Sequence, residues 1–307
     1  MHTGTKEQRI AIIGSSSFLA SYFIKYYEKD TLVTLHLYGS YEPEMQSDRF
    51  ATYKYKLPDA PLDYSNLLEM DLIINCAGMG IQAVQQNSSD LLYQLNVMEP
   101  IRILNFLKEN QYKGTWMSFG SYFEIGSHTN ELKFHTEAEV LKSEYAVPND
   151  YCISKRLLNR FMDSSTFSFT YYHFILSTIY GKGEQEHRLL PLIISKLKRN
   201  EPVELSSGSQ IRQYIHASKA VGLISKLYEN NVPSGAYNIA TAHSISIKEL
   251  ASQIARHLKA EELLHFGSVQ RQDLTMQVLQ LDIHKTASYA EVPEDLSIEE
   301  IIQDYIN

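Results

Sequence analysis

The chain has 307 residues, of which 44% are hydrophobic and 21% are charged, and its formal net charge at pH 7 is -8. This length and composition are typical of a globular protein that buries one large core or two smaller ones. The negative charge, without any cluster of Lys or Arg, argues against nucleic acid or an anionic membrane surface as the main partner, because phosphate binding needs concentrated positive charge.

Cysteine content and hydropathy indicate which cellular compartment and which kinds of site to expect. The two cysteines, Cys76 and Cys152, indicate neither a disulfide framework nor a cysteine-rich metal site, so no metal is predicted. No N-terminal apolar stretch has the length of a signal peptide, and no segment approaches the roughly 20 apolar residues of a membrane span. We therefore expect a cytoplasmic protein.

Short apolar runs alternate with helical patterns along the chain. The apolar runs are 9–14, 31–39, 70–78, 114–120 and 167–176. The helix-length segments between them include 18–28, 90–110 and 151–163. This alternation predicts an α/β fold with a doubly wound, mostly parallel sheet. Such sheets bind ligands at the carboxyl ends of their strands, here in the segments that begin at Gly14, Gly39, Ala77, Ser118 and Ser177.

The first strand runs into "AIIGSSSFLA", a tight turn followed by the start of a helix. Dinucleotide-binding folds place glycines here so that the backbone can approach the pyrophosphate at a helix N-terminus. Gly14 keeps the first glycine position, while Ser17 and Ala20 occupy the other two. We predict that the cofactor is bound through Gly14, Ser16, Ser17, Phe18 and Leu19; the alternative is a plain strand-to-helix turn.

The second strand ends in "HLYGSYEPE", with no acid at the strand end itself. An acid there favours NAD, because a carboxylate accepts from the ribose 2'-hydroxyl and repels a 2'-phosphate. Ser40 can accommodate a phosphate, so the pattern slightly favours NADP over NAD. Glu42 lies close enough in sequence to reverse this preference.

Tyr151 and Lys155 are four residues apart in "NDYCISKRLLNRF", whose apolar spacing predicts a helix with both side chains on one side. A free phenol has a pKa of about 10 and needs a nearby cation to act as an acid or base at neutral pH. Lys155 provides that cation. The spacing predicts a catalytic pair, and the alternative is a Tyr and a Lys on a solvated helix face.

Taken together, these motifs resemble those of the extended short-chain dehydrogenase/reductases, the NAD-dependent epimerase/dehydratase group that acts on nucleotide sugars. The likeness covers nearly the whole chain, through the Gly14 turn, "NCAG" at 75–78, "LNVMEP" with Asn96, the Y-x-x-x-K pair, "IYGKGE" at 179–184 and "IRQYIHASKAV" at 211–221. It implies a Rossmann-type domain formed by 1–176 plus about 213–241. It also implies a smaller C-terminal α/β lobe for the nucleotide sugar, formed by about 177–212 plus 242–307, with the catalytic cleft between the two.

The resemblance implies further cofactor contacts, at Cys76, Ala77, Gly78, Asn96 and Ser118. It gives Lys155 a second role, as a ligand of the nicotinamide ribose. The family's catalytic Ser or Thr falls in "WMSFGSYFEIG", where the alignment is ambiguous because this chain is longer than the usual pattern. Ser121 is the nearest hydroxyl and Ser118 lies on the nicotinamide side.

Substrate-binding residues are implied at Ser121, Glu124, His187, Arg188 and Arg212. The 4,6-dehydratases of the family carry an adjacent Asp-Glu pair after the catalytic hydroxyl. Glu124 is the single acid here, so dehydratase activity is disfavoured. His187 resembles an acid/base histidine of keto-sugar enzymes, and Arg212 matches an arginine that contacts the substrate diphosphate.

These implications lead to a predicted function. We expect an NAD(P)-dependent reductase of a nucleotide-linked 4-keto sugar, with epimerisation as an added option, in the synthesis of deoxysugar precursors. One alternative is a nucleotide-sugar 4-epimerase that holds its NAD tightly. A more distant alternative is a non-catalytic NAD(P)-binding sensor. The resemblance also implies a homodimer.

Overall fold

The structure is a computed structural model of the chain and describes residues 7–41, 47–80, 89–128, 132–269, 276–294 and 297–306. Its strands are β1 (Gln8–Ile13), β2 (Val33–Gly39), β3 (Phe50–Lys54), β4 (Leu72–Asn75), β5 (Thr115–Ser121), β6 (Thr170–Leu176), β7 (Thr178–Tyr180), β8 (Val203–Leu205), β9 (Ile211–Arg212), β10 (Tyr214–His216), β11 (Gly235–Ile239), β12 (Ile245–Ser246), β13 (Leu264–Phe266) and β14 (Val278–Leu279).

The helices are α1 (Phe18–Tyr27), α2 (Ser89–Tyr93), α3 (Glu99–Glu109), α4 (Glu137–Leu141), α5 (Asp150–Ser164), α6 (Leu189–Lys198), α7 (Ala217–Glu229), α8 (Ile247–Leu258), α9 (His284–Ala287) and α10 (Ile298–Ile306). A π-helical turn, Gln94–Met98, joins α2 to α3. The helix predicted over 90–110 is therefore one helical stretch with a π-turn inside it. Short 3₁₀ turns occur at Tyr64–Leu67, Tyr122–Ile125 and Glu261–Leu263.

The main sheet contains seven strands in the order β11-β6-β5-β4-β1-β2-β3. Strand β1 is parallel to both of its neighbours, with Ile12 opposite Leu37 of β2 and Ile74 of β4. The pairs β4–β5 and β2–β3 are also parallel. Strand order and direction confirm the predicted α/β fold with a mostly parallel sheet. Strand β3 was not predicted, because it is short, mixes apolar with polar residues and is partly exposed.

Polar side chains cap the two helices that carry most of the predicted site. Helix α1 follows Ser17, whose hydroxyl accepts from the Ala20 amide. Helix α5 follows Asn149, whose side chain accepts from the Cys152 amide at 3.1 Å. Such caps satisfy amide groups that have no partner within the helix. Both helices therefore begin at a defined residue.

The described residues fall into two compact units. The first is bounded by Met1–Glu124, Asn149–Ile175 and Ile224–Tyr237, and the second by Ile125–Pro148, Leu176–Leu223 and Asn238–Asn307. The assignment of one lobe to the cofactor and the other to the sugar stays a prediction.

Each unit has its own hydrophobic core. The core of the first unit includes Trp116 on β5, Ile103 on α3 and Leu158 on α5. In the second unit, buried residues of α6, α8 and α10 pack together, among them Ile193 and Ile254. In the described parts of the chain, no helix is both long and apolar enough to cross a membrane.

Candidate active site

The turn between β1 and α1 requires a glycine at position 14. Gly14 has φ +78°, and a Cβ there would stand 2.5 Å from the Ala77 amide nitrogen. An L-residue rarely adopts this φ, and backbone atoms cannot give way to a methyl group. Ser17 caps α1, and Phe18 and Leu19 form its first turn, where amides lack intrahelical partners. The turn thus brings bare backbone and the first-turn amides of α1 to the carboxyl end of β1.

A cavity of about 260 Å³ lies at the carboxyl ends of β2 and β3. Its lining residues are Leu37, Gly39, Ser40, Tyr41, Thr52, Tyr53 and Lys54. The Ser16 hydroxyl lies 3.1 Å from the Ser40 hydroxyl and accepts from the Ser40 amide at 3.0 Å. Predicted residues from two strand ends are thus brought together. Glu42 lies outside the described residues.

Asn96 occupies the π-turn between α2 and α3 and is buried. Its Oδ1 accepts from the Met79 amide at 2.7 Å, and its Nδ2 donates to the Ser154 hydroxyl at 3.0 Å. A Cβ on Gly78 would stand 3.1 Å from Asn96 Oδ1 and 4.0 Å from Lys155 Nζ. Asn96 therefore connects the segment that follows β4 to helix α5, and π-turns of this kind are frequent at functional sites.

Tyr151 and Lys155 lie one turn apart on α5, as predicted. The Lys155 ammonium lies 5.8 Å from the centre of the Tyr151 ring. It donates to the Phe119 carbonyl of β5 at 2.8 Å, which fixes its position. Burial lowers the pKa of Lys155, while the charge of Glu124 and the thiol of Cys76 act in the opposite direction. The ring of Phe123 packs edge-on against Tyr151 at 6.4 Å.

Ser121 ends β5, and its hydroxyl accepts from the Phe123 amide at 3.3 Å. Its own amide donates to Glu124 Oε1 at 2.8 Å. Glu124 is fully buried, so it presents no surface to a ligand. Burial raises the pKa of the Glu124 carboxyl, and hydrogen bonds from Ser121 and Asn159 lower it.

Ser118 is also fully buried within β5. Its hydroxyl lies 2.9 Å from His173 Nδ1 and donates to the Met162 sulfur at 3.2 Å. The Ser118 side chain therefore contacts the core, whereas Ser121 stands at the strand end. A role for Ser118 in cofactor binding stays a prediction.

His187 and Arg188 lie in the second unit, in the segment between β7 and α6. His187 is exposed. Arg188 forms an ion pair with Glu184 at 3.1 Å and donates to the Ile179 carbonyl at 3.1 Å. The Glu184 side chain is only 2% exposed, so this pair anchors the segment.

Arg212 lies on β9 of the second unit and is buried. Its guanidinium donates to the carbonyls of Met276, Gln277 and Ile211 at 2.7 to 3.0 Å. These bonds orient the planar group and tie β9 to the residues around β14.

Comparison with known proteins decides the family. A model of the "NAD dependent epimerase/dehydratase family" matches residues 10–240. The chain belongs to this family. Membership confirms the resemblance drawn from the motifs, and it confirms the prediction of an enzyme that uses a nicotinamide dinucleotide.

Two sequence relatives and one solved structure are similar to this chain. A CDP-abequose synthase of Salmonella muenchen is 21% identical over 69% of this chain and 71% of its own length. A dTDP-4-dehydro-6-deoxy-D-allose reductase of Streptomyces bikiniensis is 24% identical over 80% of this chain and 79% of its own length. The structure of UDP-N-acetylglucosamine 4-epimerase from Methanobrevibacter ruminantium M1, in complex with UDP-N-acetylmuramic acid, matches with a TM-score of 0.83 at 15% identity over 98% of each chain. This structural likeness shows a shared fold.

The residues present fit the family's cofactor. Family members bind the dinucleotide at the first strand-to-helix turn. Here that turn holds Gly14, where a side chain would collide with Ala77, and it opens α1 at its amide end. Gly78 follows β4 at the same edge of the sheet and lies close to Asn96 and Lys155.

Two residues that sequence reasoning missed lie beside predicted site residues. His173 lies beside Ser118, and Asn159 donates to Glu124 Oε2 at 2.8 Å. The signal for His173 was a single polar residue in the buried strand "TYYHFIL". Asn159 stands four residues after Lys155, so its place on the same helix face could have been read from the spacing.

Proposed function

We propose that this protein is an NAD(P)-dependent reductase of a nucleotide-linked 4-keto sugar, with epimerisation as an added option, in deoxysugar precursor synthesis. The observation that carries the proposal is the Tyr151–Lys155 pair, held against the end of β5 in the family's fold. A relative named as a reductase of a dTDP-4-dehydro-6-deoxy sugar, which aligns over 80% of this chain, supports the reaction type.

Each residue of the first unit has a distinct part in the proposed reaction. The bound dinucleotide supplies the hydride. Tyr151 donates its phenolic proton to the carbonyl oxygen of the sugar, and the Ser121 hydroxyl holds that oxygen by a hydrogen bond. The Lys155 ammonium favours loss of the phenolic proton and binds the nicotinamide ribose. Asn96 keeps the segment after β4 in place beside Lys155.

Cofactor contacts are proposed along the edge of the sheet, through Gly14, Ser16, Ser17, Phe18, Leu19, Ser40, Cys76, Ala77, Gly78, Asn96, Ser118, Tyr151 and Lys155. We propose a slight preference for NADP. The cavity beside Ser40 contains hydroxyl groups and Lys54, and none of its described lining residues is acidic. Hydroxyl and ammonium groups are suitable partners for a 2'-phosphate, whereas a carboxylate would repel it.

The nucleotide sugar is proposed to bind through His187, Arg188 and Arg212 of the second unit, with Ser121 of the first. Glu124, which the sequence suggested as a further contact, is fully buried and is not proposed to touch the sugar. An exposed histidine at His187 is available for proton transfer to a keto sugar. Arginine side chains suit a diphosphate because their planar donors match its oxygens. A homodimer and a cytoplasmic location are proposed as well, on the family resemblance and the composition.

The test is a spectrophotometric assay of the purified protein. NADPH or NADH is mixed with a panel of nucleotide-linked 4-keto-6-deoxy sugars, and absorbance is followed at 340 nm. We expect loss of absorbance with one of the sugars, with a higher kcat/KM for NADPH than for NADH. A higher kcat/KM for NADH would contradict the cofactor preference without touching the reductase assignment.

Tyr151→Phe tests the catalytic pair, because it keeps the ring and removes the proton. Turnover should be abolished while cofactor affinity stays close to that of the unaltered protein. Tyr289→Phe, at an exposed tyrosine of the second unit, is the matched control and should remain active. Full activity of Tyr151→Phe would contradict the mechanism. Absence of turnover with any keto sugar, together with NAD released on denaturation, would favour the 4-epimerase; cofactor binding without any turnover would favour the sensor.

A further inference from the structure

Glu124 lies beneath the proposed catalytic residues, in a buried polar cluster formed by β5, α5 and β6. Both carboxylate oxygens accept a hydrogen bond, Oε1 from the Ser121 amide and Oε2 from Asn159 Nδ2, each at 2.8 Å. In the described part of the chain, neither oxygen has an acceptor as partner. A protonated carboxyl would leave its own donor unpaired, so this arrangement fits an ionised group.

Two cations of helix α5 bond to the backbone around Glu124. Arg156 Nε donates to the Glu124 carbonyl at 2.6 Å, and Lys155 precedes Arg156 in the chain. The Lys155 ammonium donates to the Phe119 carbonyl, and the Glu124 carboxylate accepts from the Ser121 amide two residues further along β5, so the two charges are held at the same strand end. Each favours the charged form of the other.

Gly120 creates the space for this cluster. A Cβ at Gly120 would collide with Glu124 Oε1 and would stand 2.6 Å from His173 Nε2. Burial and the charge of Lys155 lower the pKa of His173 to about 3, so the imidazole is neutral and adds no second cation. The charged or titratable groups facing Glu124 and Lys155 are therefore Arg156, His173, Cys76 and the Tyr151 phenol.

We propose that Glu124 is a positioning residue, whose carboxylate fixes the Ser121 backbone and acts as the buried counter-charge that keeps Lys155 an ammonium. This role differs from the substrate contact suggested by sequence, and it rests on the proposed function because it concerns the same site. Without a counter-charge, a desolvated lysine loses its proton more easily. The catalytic phenol would then lose the cation on which its acidity depends.

The direct test uses cofactor-free protein labelled with ¹⁵N-lysine, in which NMR follows the titration of Lys155. Glu124→Gln keeps the size of the side chain and removes its charge, so the pKa of Lys155 should fall by about one pH unit. Glu124→Asp should restore most of the difference. Glu137→Gln is the matched control, since Glu137 is another buried glutamate and accepts from the Asn238 amide at 2.8 Å; it should leave Lys155 unchanged.

Because the coupling is reciprocal, Lys155→Met should raise the pKa of Glu124 by the amount that Glu124→Gln lowers that of Lys155. This second variant keeps the test decisive where Glu124→Gln does not fold. Equal Lys155 titration in Glu124→Gln and the unaltered protein, or an unchanged Glu124 in Lys155→Met, would overturn the proposal.

A kinetic measurement separates this proposal from the proposed function. In the reductive direction Tyr151 must hold its proton, so activity falls at alkaline pH. In Glu124→Gln, Lys155 should lose its proton at lower pH, and the phenol then lacks the cation that its acidity requires, so the alkaline limb of kcat/KM should move to lower pH. A merely structural role would not move this limb. If the protein reduces no keto sugar, the proposed function fails, while the NMR result still decides the role of Glu124.

Discussion

At the scale of single residues, two glycines differ in what a side chain would meet. Gly14 has φ +78°, and a Cβ there would stand 2.5 Å from the Ala77 amide nitrogen. Gly222 lies inside helix α7, where a Cβ would meet no atom within 4 Å. The first position needs glycine for its conformation, whereas the second gains nothing from it.

This contrast predicts opposite effects of one substitution. Gly14→Ala should lower the free energy of unfolding by more than about 2 kcal/mol, because the left-handed conformation alone costs 1 to 2 kcal/mol for alanine and the collision adds to it. Gly222→Ala should raise it by about 1 kcal/mol, the difference in helix propensity. Urea unfolding of the cofactor-free variants measures both. Equal stability of the two variants would contradict the geometry described at Gly14.

At the scale of elements, helix α10 holds the segment that carries His187 and Arg188. The Tyr305 hydroxyl accepts from the Gly181 amide at 3.0 Å and is hydrogen-bonded to Glu184. Asp304 accepts from the Lys182 amide. Since Glu184 pairs with Arg188, the chain of contacts runs from α10 to the proposed substrate-binding residues.

Tyr305→Phe should loosen this segment. The Gly181 amide loses its partner, so its hydrogen exchange should accelerate about tenfold or more, as expected for an amide whose local opening becomes easier. The KM for the nucleotide sugar should rise more than kcat falls. Tyr172→Phe, which removes a buried hydroxyl bonded to the Val232 carbonyl, is the control and should leave Gly181 exchange unchanged. Unaltered exchange in Tyr305→Phe would show that α10 does not anchor the segment.

The elements also show which features a sequence can reveal. Apolar runs predicted β1, β2, β4, β5 and β6, because strands buried on both faces are continuously apolar. Strand β3 mixes apolar with polar residues, is partly exposed and gave no such signal. The π-turn at Gln94–Met98 was equally invisible, since helical spacing continues across it.

In the candidate site, too, some features could be predicted from the sequence and others could not. The pairing of Tyr151 with Lys155 followed from their spacing on one helix. The burial of Glu124 did not, because a charged residue is usually exposed and only tertiary contacts provide the partners that compensate its charge. The choice between Ser118 and Ser121 was ambiguous in the sequence, since only the structure shows that Ser118 contacts Met162 and His173 in the core whereas Ser121 ends β5.

At the scale of the whole molecule, one buried imidazole links stability to pH. His173 is fully buried, and its Nε2 has no hydrogen-bond partner among the residues that the structure describes. Burial, with a contribution from the Lys155 charge, lowers its pKa to about 3 in the folded protein. In the unfolded chain the imidazole titrates near 6.5. Between these two values the unfolded state binds the additional proton, so the free energy of unfolding decreases as the pH falls.

His173→Asn should remove this dependence, because the amide can still bond to Ser118 but does not titrate. From pH 7.5 to pH 5.0 the unaltered protein should lose about 2 kcal/mol more of its free energy of unfolding than the variant does. Asparagine is smaller than histidine, so the variant has a cavity that lowers its free energy of unfolding at every pH. Because the comparison uses the change between the two pH values, this constant cost cancels. His257→Asn, at an exposed histidine of α8, should show the same loss as the unaltered protein. If urea unfolding gives equal losses for His173→Asn and the unaltered protein, His173 is already protonated in the native state, and its ring must then have a buried acceptor within reach.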